Sequence, residues 1–418
     1  MTTRIGHVVR DRDAALCLGA VVVSGFGSSA LLLVAGVWVK DLTGSDGLAA
    51  LCALALWLPV CAGPLLGALA DRVRRRPLLI AVNLGLGALL PVVLWVDSAA
   101  RVGLLLAVLL VYGACGVVTD AAEAALAARA VGEELLGDFN GLRTAANEGM
   151  KLVAPPVGAA LYAAYGGGPV ALLDAVTFLL AAGLFALVRT RERRPAPGAA
   201  GTWRRTAAGA RFLWRAGAPG APNPGRGDHR DATRPLPLVL AGGLTMLTAG
   251  LSGATVYALV EGLGRSPAYT GVLYTAQGAG SVAAGLAAGA LLRRLGARRL
   301  AGAGAASTAA GAAMQALPQE AAVVTGCLAH GAGLVCEQVA ALTAALRAEP
   351  DALAGRVVAT AQTLVLAPTA LGIALGAALV ELADPRLLLV LCAGARLAVA
   401  APLLNPVRLG PTSRPPSA

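Results

Sequence analysis

The chain has 418 residues, of which 57% are hydrophobic and 14% charged, and its formal net charge is +11. Soluble domains carry about 25% charged residues, whereas apolar runs of about 20 residues recur here, the length needed to cross a hydrocarbon core of roughly 30 Å. That excludes a soluble protein. The positive charge does not mark a nucleic-acid partner either, because the basic residues stand in short clusters between apolar runs, the pattern that holds loops on the inner face of a membrane.

The polar start MTTRIGHVVRDRD leads into an apolar run with no small-residue cleavage site behind it, so this run reads as a first membrane helix and not as a removed signal. From there the apolar runs, turn signals and charges predict helices over 14–39, 48–70, 78–97, 102–126, 141–164 and 169–188, then 236–260, 268–292, 300–317, 321–346, 356–381 and 386–406. The expected architecture is an all-α integral membrane protein with twelve transmembrane helices. Residues 1–188 form one six-helix bundle, 189–235 a basic cytoplasmic linker, and 236–418 a second bundle. Of the 34 Lys and Arg, 28 fall in segments on one side, and four (Lys40, Arg101, Arg265, Arg386) fall on the other. This bias puts both termini in the cytoplasm. Within the linker, TWRRTAAGARFLWRAG sets Trp203, Phe212, Leu213 and Trp214 among arginines, which suits either an interfacial helix over 202–217 or a plain basic tether. All seven cysteines lie in apolar stretches without metal-ligand spacing, so neither a metal nor a cofactor is expected.

The two halves repeat one another. GALADRVRRR (67–76) follows helix 2 and GALLRRLGARR (289–299) follows helix 8. GACGVVTDAAEAAL in helix 4 aligns with HGAGLVCEQVAAL in helix 10, which pairs Asp120 with Glu337. Arg143 through Pro155 aligns without a gap on Arg356 through Pro368. Three matches in one order indicate a duplicated half, with a binding site between the halves.

The stretch Gly67-Ala-Leu-Ala-Asp71-Arg72-Val-Arg74-Arg75-Arg76 resembles the signature G-x-x-x-D-R-x-G-R-R of the major facilitator superfamily, and with the 6+6 layout the resemblance covers essentially the whole chain. It implies a cytoplasmic conformational latch at Gly67, Asp71, Arg72, Arg75 and Arg76. Arg74 stands where the pattern has glycine, so the turn must be made differently here. The second copy keeps Gly296 but has Arg293 in place of the acid. In helix 5, Ala154-Pro155-Pro156-Val157-Gly158 is similar to the G-P-x-x-G-G element of drug antiporters, with Pro155, Pro156 and Gly158 forming a kink at a moving interface. With DLTGS after helix 1 and ALLDAVTFLL in helix 6, the chain resembles twelve-helix bacterial exporters of macrolide or siderophore type. The dominance of arginine over lysine, 32 to 2, suits a GC-rich bacterial genome and hence a bacterial cell membrane.

Ionisable groups at bilayer depth cost about 2.5–3.5 kcal/mol each on insertion scales and are therefore functional candidates. Glu148 and Lys151 lie three apart on one face of helix 5 and can pair or carry a proton. A static buried pair remains the alternative. His330 in helix 10 is a candidate proton switch. Asp120 and Glu337 are candidate cytoplasmic gate residues with Arg143 and Arg356, while Asp174 and Arg396 suit structural pairing. The expected function is secondary transport of a small amphiphilic molecule such as a drug, macrolide or siderophore, outward and in exchange for protons. The expected partners are substrate, lipid and proton, with the chain acting as a monomer. The alternatives are an importer or uniporter of a nutrient or anion, and a non-transporting membrane sensor. No phosphate loop, H-E-x-x-H or G-x-S-x-G supports an enzyme.

Overall fold

A computed structural model describes residues 10–63, 65–66, 73–130, 133–189, 214, 235–347 and 354–405. Among the described residues the chain is helical and contains no strand. The N-terminal bundle consists of α1 (Arg12–Thr43), α2 (Asp46–Trp57), α3 (Arg75–Leu89), α4 (Val102–Ala130), α5 (Glu133–Tyr165) and α6 (Gly167–Leu187). The C-terminal bundle consists of α7 (Pro235–Ala254), α8 (270–295), α9 (297–315), α10 (Glu320–Arg347), α11 (Ala354–Leu379) and α12 (Pro385–Leu404). Gly67, Asp71 and Arg72 of the expected latch lie outside the described residues, as does the 202–217 segment apart from Trp214.

Departures from the expected boundaries have local causes. Pro59 and Pro91 each remove a backbone donor, and there α2 and α3 tighten into 3-10 turns over Leu58–Ala62 and Leu90–Trp95. Helix 7, expected to be continuous to 260, breaks at Thr255 and resumes over Val256–Gly262. Nine described helices are long and apolar enough to cross a membrane. That number falls short of twelve for readable reasons. Helices α8 and α9 run together in one apolar stretch, the regular part of α2 is short, and α5 carries too many polar residues to pass a purely apolar criterion.

The two repeated loops turn differently. Arg74 caps the start of α3 with an ordinary extended backbone (φ −66°, ψ 130°), so the N-terminal copy needs no glycine at this point. Gly296 adopts φ 75°, ψ 163° between α8 and α9, a region essentially closed to side chains.

The packing of the halves follows two-fold logic. Helix α2 packs on α11 and α5 packs on α8. Small residues allow the close approaches expected where lipid supplies no hydrophobic drive. A Cβ on Gly372 of α11 would collide with the Leu247 carbonyl of α7, and one on Gly158 of α5 would lie 3.0 Å from Ala30 of α1. Helix α8 crosses α5 where Gly271 faces Ala159 and Pro155, so the Pro155–Pro156–Gly158 element touches both its own bundle and the other one.

Gly296→Ala is expected to destabilise the α8–α9 turn by on the order of 1–3 kcal/mol. A lowered thermal midpoint in detergent, absent from Arg74→Ala, would show it.

Candidate functional site

A buried guanidinium organises the C-terminal bundle. Arg396 on α12 is fully buried. Its Nε donates to Thr248 Oγ1 (2.9 Å) and its Nη2 to Ser252 Oγ (3.2 Å), both on α7. Its Nη1 reaches the Thr308 carbonyl of α9 at 3.0 Å and His330 Nδ1 of α10 at 3.1 Å. Guanidinium has donors only, so Nδ1 of His330 must offer its lone pair, and the ring proton belongs on Nε2. Taking up a second proton would require His330 to release Arg396. Glu337, also buried, faces Thr308 Oγ1 at 3.2 Å and lies within electrostatic reach of Arg396. The structure therefore brings His330 and Glu337 together with Arg396 inside one bundle.

The N-terminal bundle carries a second ionisable group, four-sided and partly accessible. Arg143 Nη1 of α5 stands 3.9 Å from Glu123 Oε2 of α4. Asp120, one turn before Glu123 and exposed, lies within electrostatic reach of Arg143 and Lys151. Sequence reasoning missed Glu123, although its i,i+3 spacing from Asp120 was a readable signal. Lys151 is exposed, while its backbone carbonyl abuts the α8 backbone at Gly278. Glu148 falls on α5, but its side chain lies outside the described residues, as does that of Arg356 on α11. At 1.5 Å per residue, Asp120 and Glu123 lie about 27 and 32 Å along α4 from Val102.

The opposite end of the molecule, which carries the turn between α1 and α2, is closed across the halves. Lys40 Nζ bridges Asp46 (3.0 Å) and Glu261 of the C-terminal bundle (2.8 Å). Glu381, just beyond α11, accepts at one oxygen from Ser45 Oγ (2.7 Å) and the Gly47 N–H (2.8 Å). Gly44 turns the chain with φ 71°. Tyr257 presses its hydroxyl onto Gly36 of α1, where a side chain has no room.

The latch arginines that are described start α3. Arg76 Nε donates to the Phe185 carbonyl (3.1 Å) and its Nη2 to that of Ala186, which caps the C-terminal end of α6 with a cation. Among the described residues no group of three or more His, Cys, Asp or Glu could hold a metal.

The family model of the Major Facilitator Superfamily matches residues 17–223. The chain belongs to the major facilitator superfamily. Solved structures extend the likeness of this transporter fold to both bundles. The human organic anion transporter MFSD10 (TETRAN) is 18% identical, with 94% of this chain and 99% of that one covered at a TM-score of 0.63. A peptide transporter POT is 13% identical over 93% of each chain at 0.70, and the nucleoside transporter NupG is 11% identical over 94% and 99% at 0.68. At these identities the structures share the fold alone. No curated relative matches the chain.

Two outcomes follow from this geometry. Arg396→Lys keeps the charge but not the fork, and should lower stability by about 1–3 kcal/mol for each acceptor left unmatched, read as a lower unfolding midpoint. The Gly47 N–H and the Ser45 hydroxyl hold the Glu381 carboxylate below its ordinary range. A depressed carboxyl stabilises the contact at neutral pH, and its contribution fades as pH falls from about 4.3 through the folded value. Spin labels on the α1–α2 turn and on residue 382 should therefore separate in acid, and Glu381→Gln should abolish that pH dependence.

Proposed function

We propose that this major facilitator transporter exports a small amphiphilic molecule, of drug, macrolide or siderophore type, in exchange for protons by alternating access. The observation that carries the reading is the placement of the mixed-charge cluster Asp120, Glu123, Arg143 and Lys151 some 20–30 Å along the helices from the clasped end. With the basic loops and both termini in the cytoplasm, the clasped end faces outside. The state is then shut to the exterior, and the cluster sits on the cytoplasmic side of the closure.

Carboxylates beside cations in a partly accessible site can exchange a proton for a cationic or polar group, because either partner satisfies the same anion. In this reading Glu148, which falls between Arg143 and Lys151 in the sequence of α5, carries the coupling proton. The latch Gly67–Arg76 and a gate formed by Asp120, Arg143, Glu337 and Arg356 control the cytoplasmic side. His330 contributes only in a state in which Arg396 has moved. The chain works as a monomer in a bacterial cell membrane.

One observation favours a second reading. Lys151 is exposed, a placement that suits an anionic substrate, and MFSD10, which shares the fold, is an organic anion transporter.

Proton release from acidified everted vesicles tests both. Addition of macrolides, siderophores or dyes should dissipate the gradient in the wild type and not in Glu148→Gln. An unchanged response in Glu148→Gln removes the coupling role. Uptake of an organic anion that is unaffected by Glu148→Gln but lost in Lys151→Gln would replace proton exchange with anion transport.

A further inference from the structure

The N-terminal bundle buries a carboxyl that the transport cycle above does not use. Asp174 on α6 is fully buried, and the groups facing it are hydroxyls. From α4, Tyr112 brings its phenol to 2.9 Å from Oδ2. From α6 itself, Thr177 Oγ1 lies 3.1 Å from Oδ1 and 2.7 Å from the Asp174 carbonyl. From α1, Gly27 lines the carboxyl so closely that a Cβ there would collide with Oδ1. The chain of contacts continues from Tyr112 to Ser28 Oγ at 2.7 Å, and from Ser28 Oγ to the Ser24 carbonyl at 2.8 Å. Among the described residues its side-chain hydrogen-bond partners are Tyr112 and Thr177, and neither is a cation. The ion pair expected for this residue is replaced by hydroxyl contacts.

Hydrogens can be counted along this chain. Each hydroxyl has one hydrogen and can accept as well as donate. If the shortest contacts are filled, Ser28 donates to the Ser24 carbonyl, Tyr112 donates to Ser28, and Thr177 donates to the Asp174 carbonyl. The phenol oxygen and Oδ2 then face each other at 2.9 Å with no hydrogen between them, unless the carboxyl supplies it. A neutral Asp174 completes the chain, with the hydrogens of Asp174, Tyr112 and Ser28 all pointing from α6 toward α1 and beyond. The opposite polarity also closes. Ser28 donates to Tyr112, Tyr112 to Oδ2 and Thr177 to Oδ1, and the carboxyl is charged. The two states differ by one proton and three hydroxyl rotations, with no heavy atom displaced.

We propose that Asp174 is a second proton-binding site, remote from the α4–α5 cluster, whose occupancy sets the polarity of a hydroxyl chain joining α6, α4 and α1. The site has all its partners within one bundle. It is therefore independent of the substrate, of the direction of transport and of Glu148. Because the chain ends on α1, the helix that also carries Gly36 and Lys40 of the clasped end, proton occupancy is felt on the same helix that closes the two halves together.

Infrared difference spectroscopy of the full chain in liposomes, across a pH series, tests this directly. The wild type should show a protonated-carboxyl C=O band at neutral pH that is missing from Asp174→Asn and retained in Glu148→Gln. Tyr112→Phe removes the acceptor of the proton and should shift the band to higher frequency. That variant also keeps the test open if Asp174→Asn fails to fold. Identical carboxyl spectra in wild type and Asp174→Asn at every pH would overturn the proposal. So would a band lost in Glu148→Gln, or one that Tyr112→Phe leaves in place. Loss of proton-coupled export in Glu148→Gln with the Asp174 band intact separates this site from the export reading.

Discussion

A charged group buried in an apolar bundle must find all its partners inside the protein, because lipid offers none. Arg396 places that demand on the C-terminal bundle. Its three nitrogens draw on α7, α9 and α10, so the position of α12 is set by polar contacts to three other helices. The small residues around it are a consequence. Gly311 lies against the His330 backbone and Gly304 against Glu337, positions where any Cβ would collide. The alanine- and glycine-rich composition of α9 thus follows from the need to bring His330, Glu337 and Arg396 within reach of one another.

The N-terminal bundle meets the same demand with the opposite charge type. Its last helix carries the buried Asp174 as the other bundle's last helix carries Arg396; Asp174 meets Tyr112 of the fourth helix, which in turn meets Ser28 of the first, while Arg396 meets the first and fourth helices directly. Both halves therefore carry a buried ionisable side chain on the last helix tied to the fourth, an acid in one and a base in the other. A cation with fixed acceptors is static, since guanidinium does not lose its proton under ordinary conditions. A carboxyl among hydroxyls has two hydrogen-bonded states. The chemistry of the two halves differs even where their geometry corresponds.

Much of the fold was legible in the chain. Among the described residues each of the twelve apolar runs contains a helix, and the boundaries shifted mainly where Pro59, Pro91, Thr255 and Gly296 alter the backbone. Tertiary partners were less legible. Asp120 and Arg143 could be nominated from their positions, but Glu123, which stands closest to Arg143, looked like an ordinary charge at a helix end. His330 read as a lone histidine among Gly and Ala because Arg396, 66 residues away, is invisible to local pattern. Likewise, DLTGS reads locally as a turn, and only the folded chain brings Glu381 onto Ser45 and Gly47 from the other bundle.

The two kinds of contact divide the labour between holding each bundle and letting the bundles part. Inside each half, backbones meet at glycine crossings and polar partners are sealed from water, so breaking a contact exposes an unsatisfied group in a medium that cannot solvate it. Between the halves, the polar clasp of Lys40, Glu261 and Glu381 sits at loop ends, and Glu261 and Glu381 are exposed. Ion pairs in such positions contribute only about 0–1 kcal/mol, because water replaces the lost partner. The other contacts between halves include small-residue crossings, Gly271 on Ala159 and Gly278 on Leu152, besides Tyr257 set against Gly36 at the clasped end. Separation at the clasped end exposes its charged groups to water, whereas separation of α12 from α7 or of α6 from α4 would strand buried polar groups. The bundles therefore part from one another at less cost than either comes apart internally.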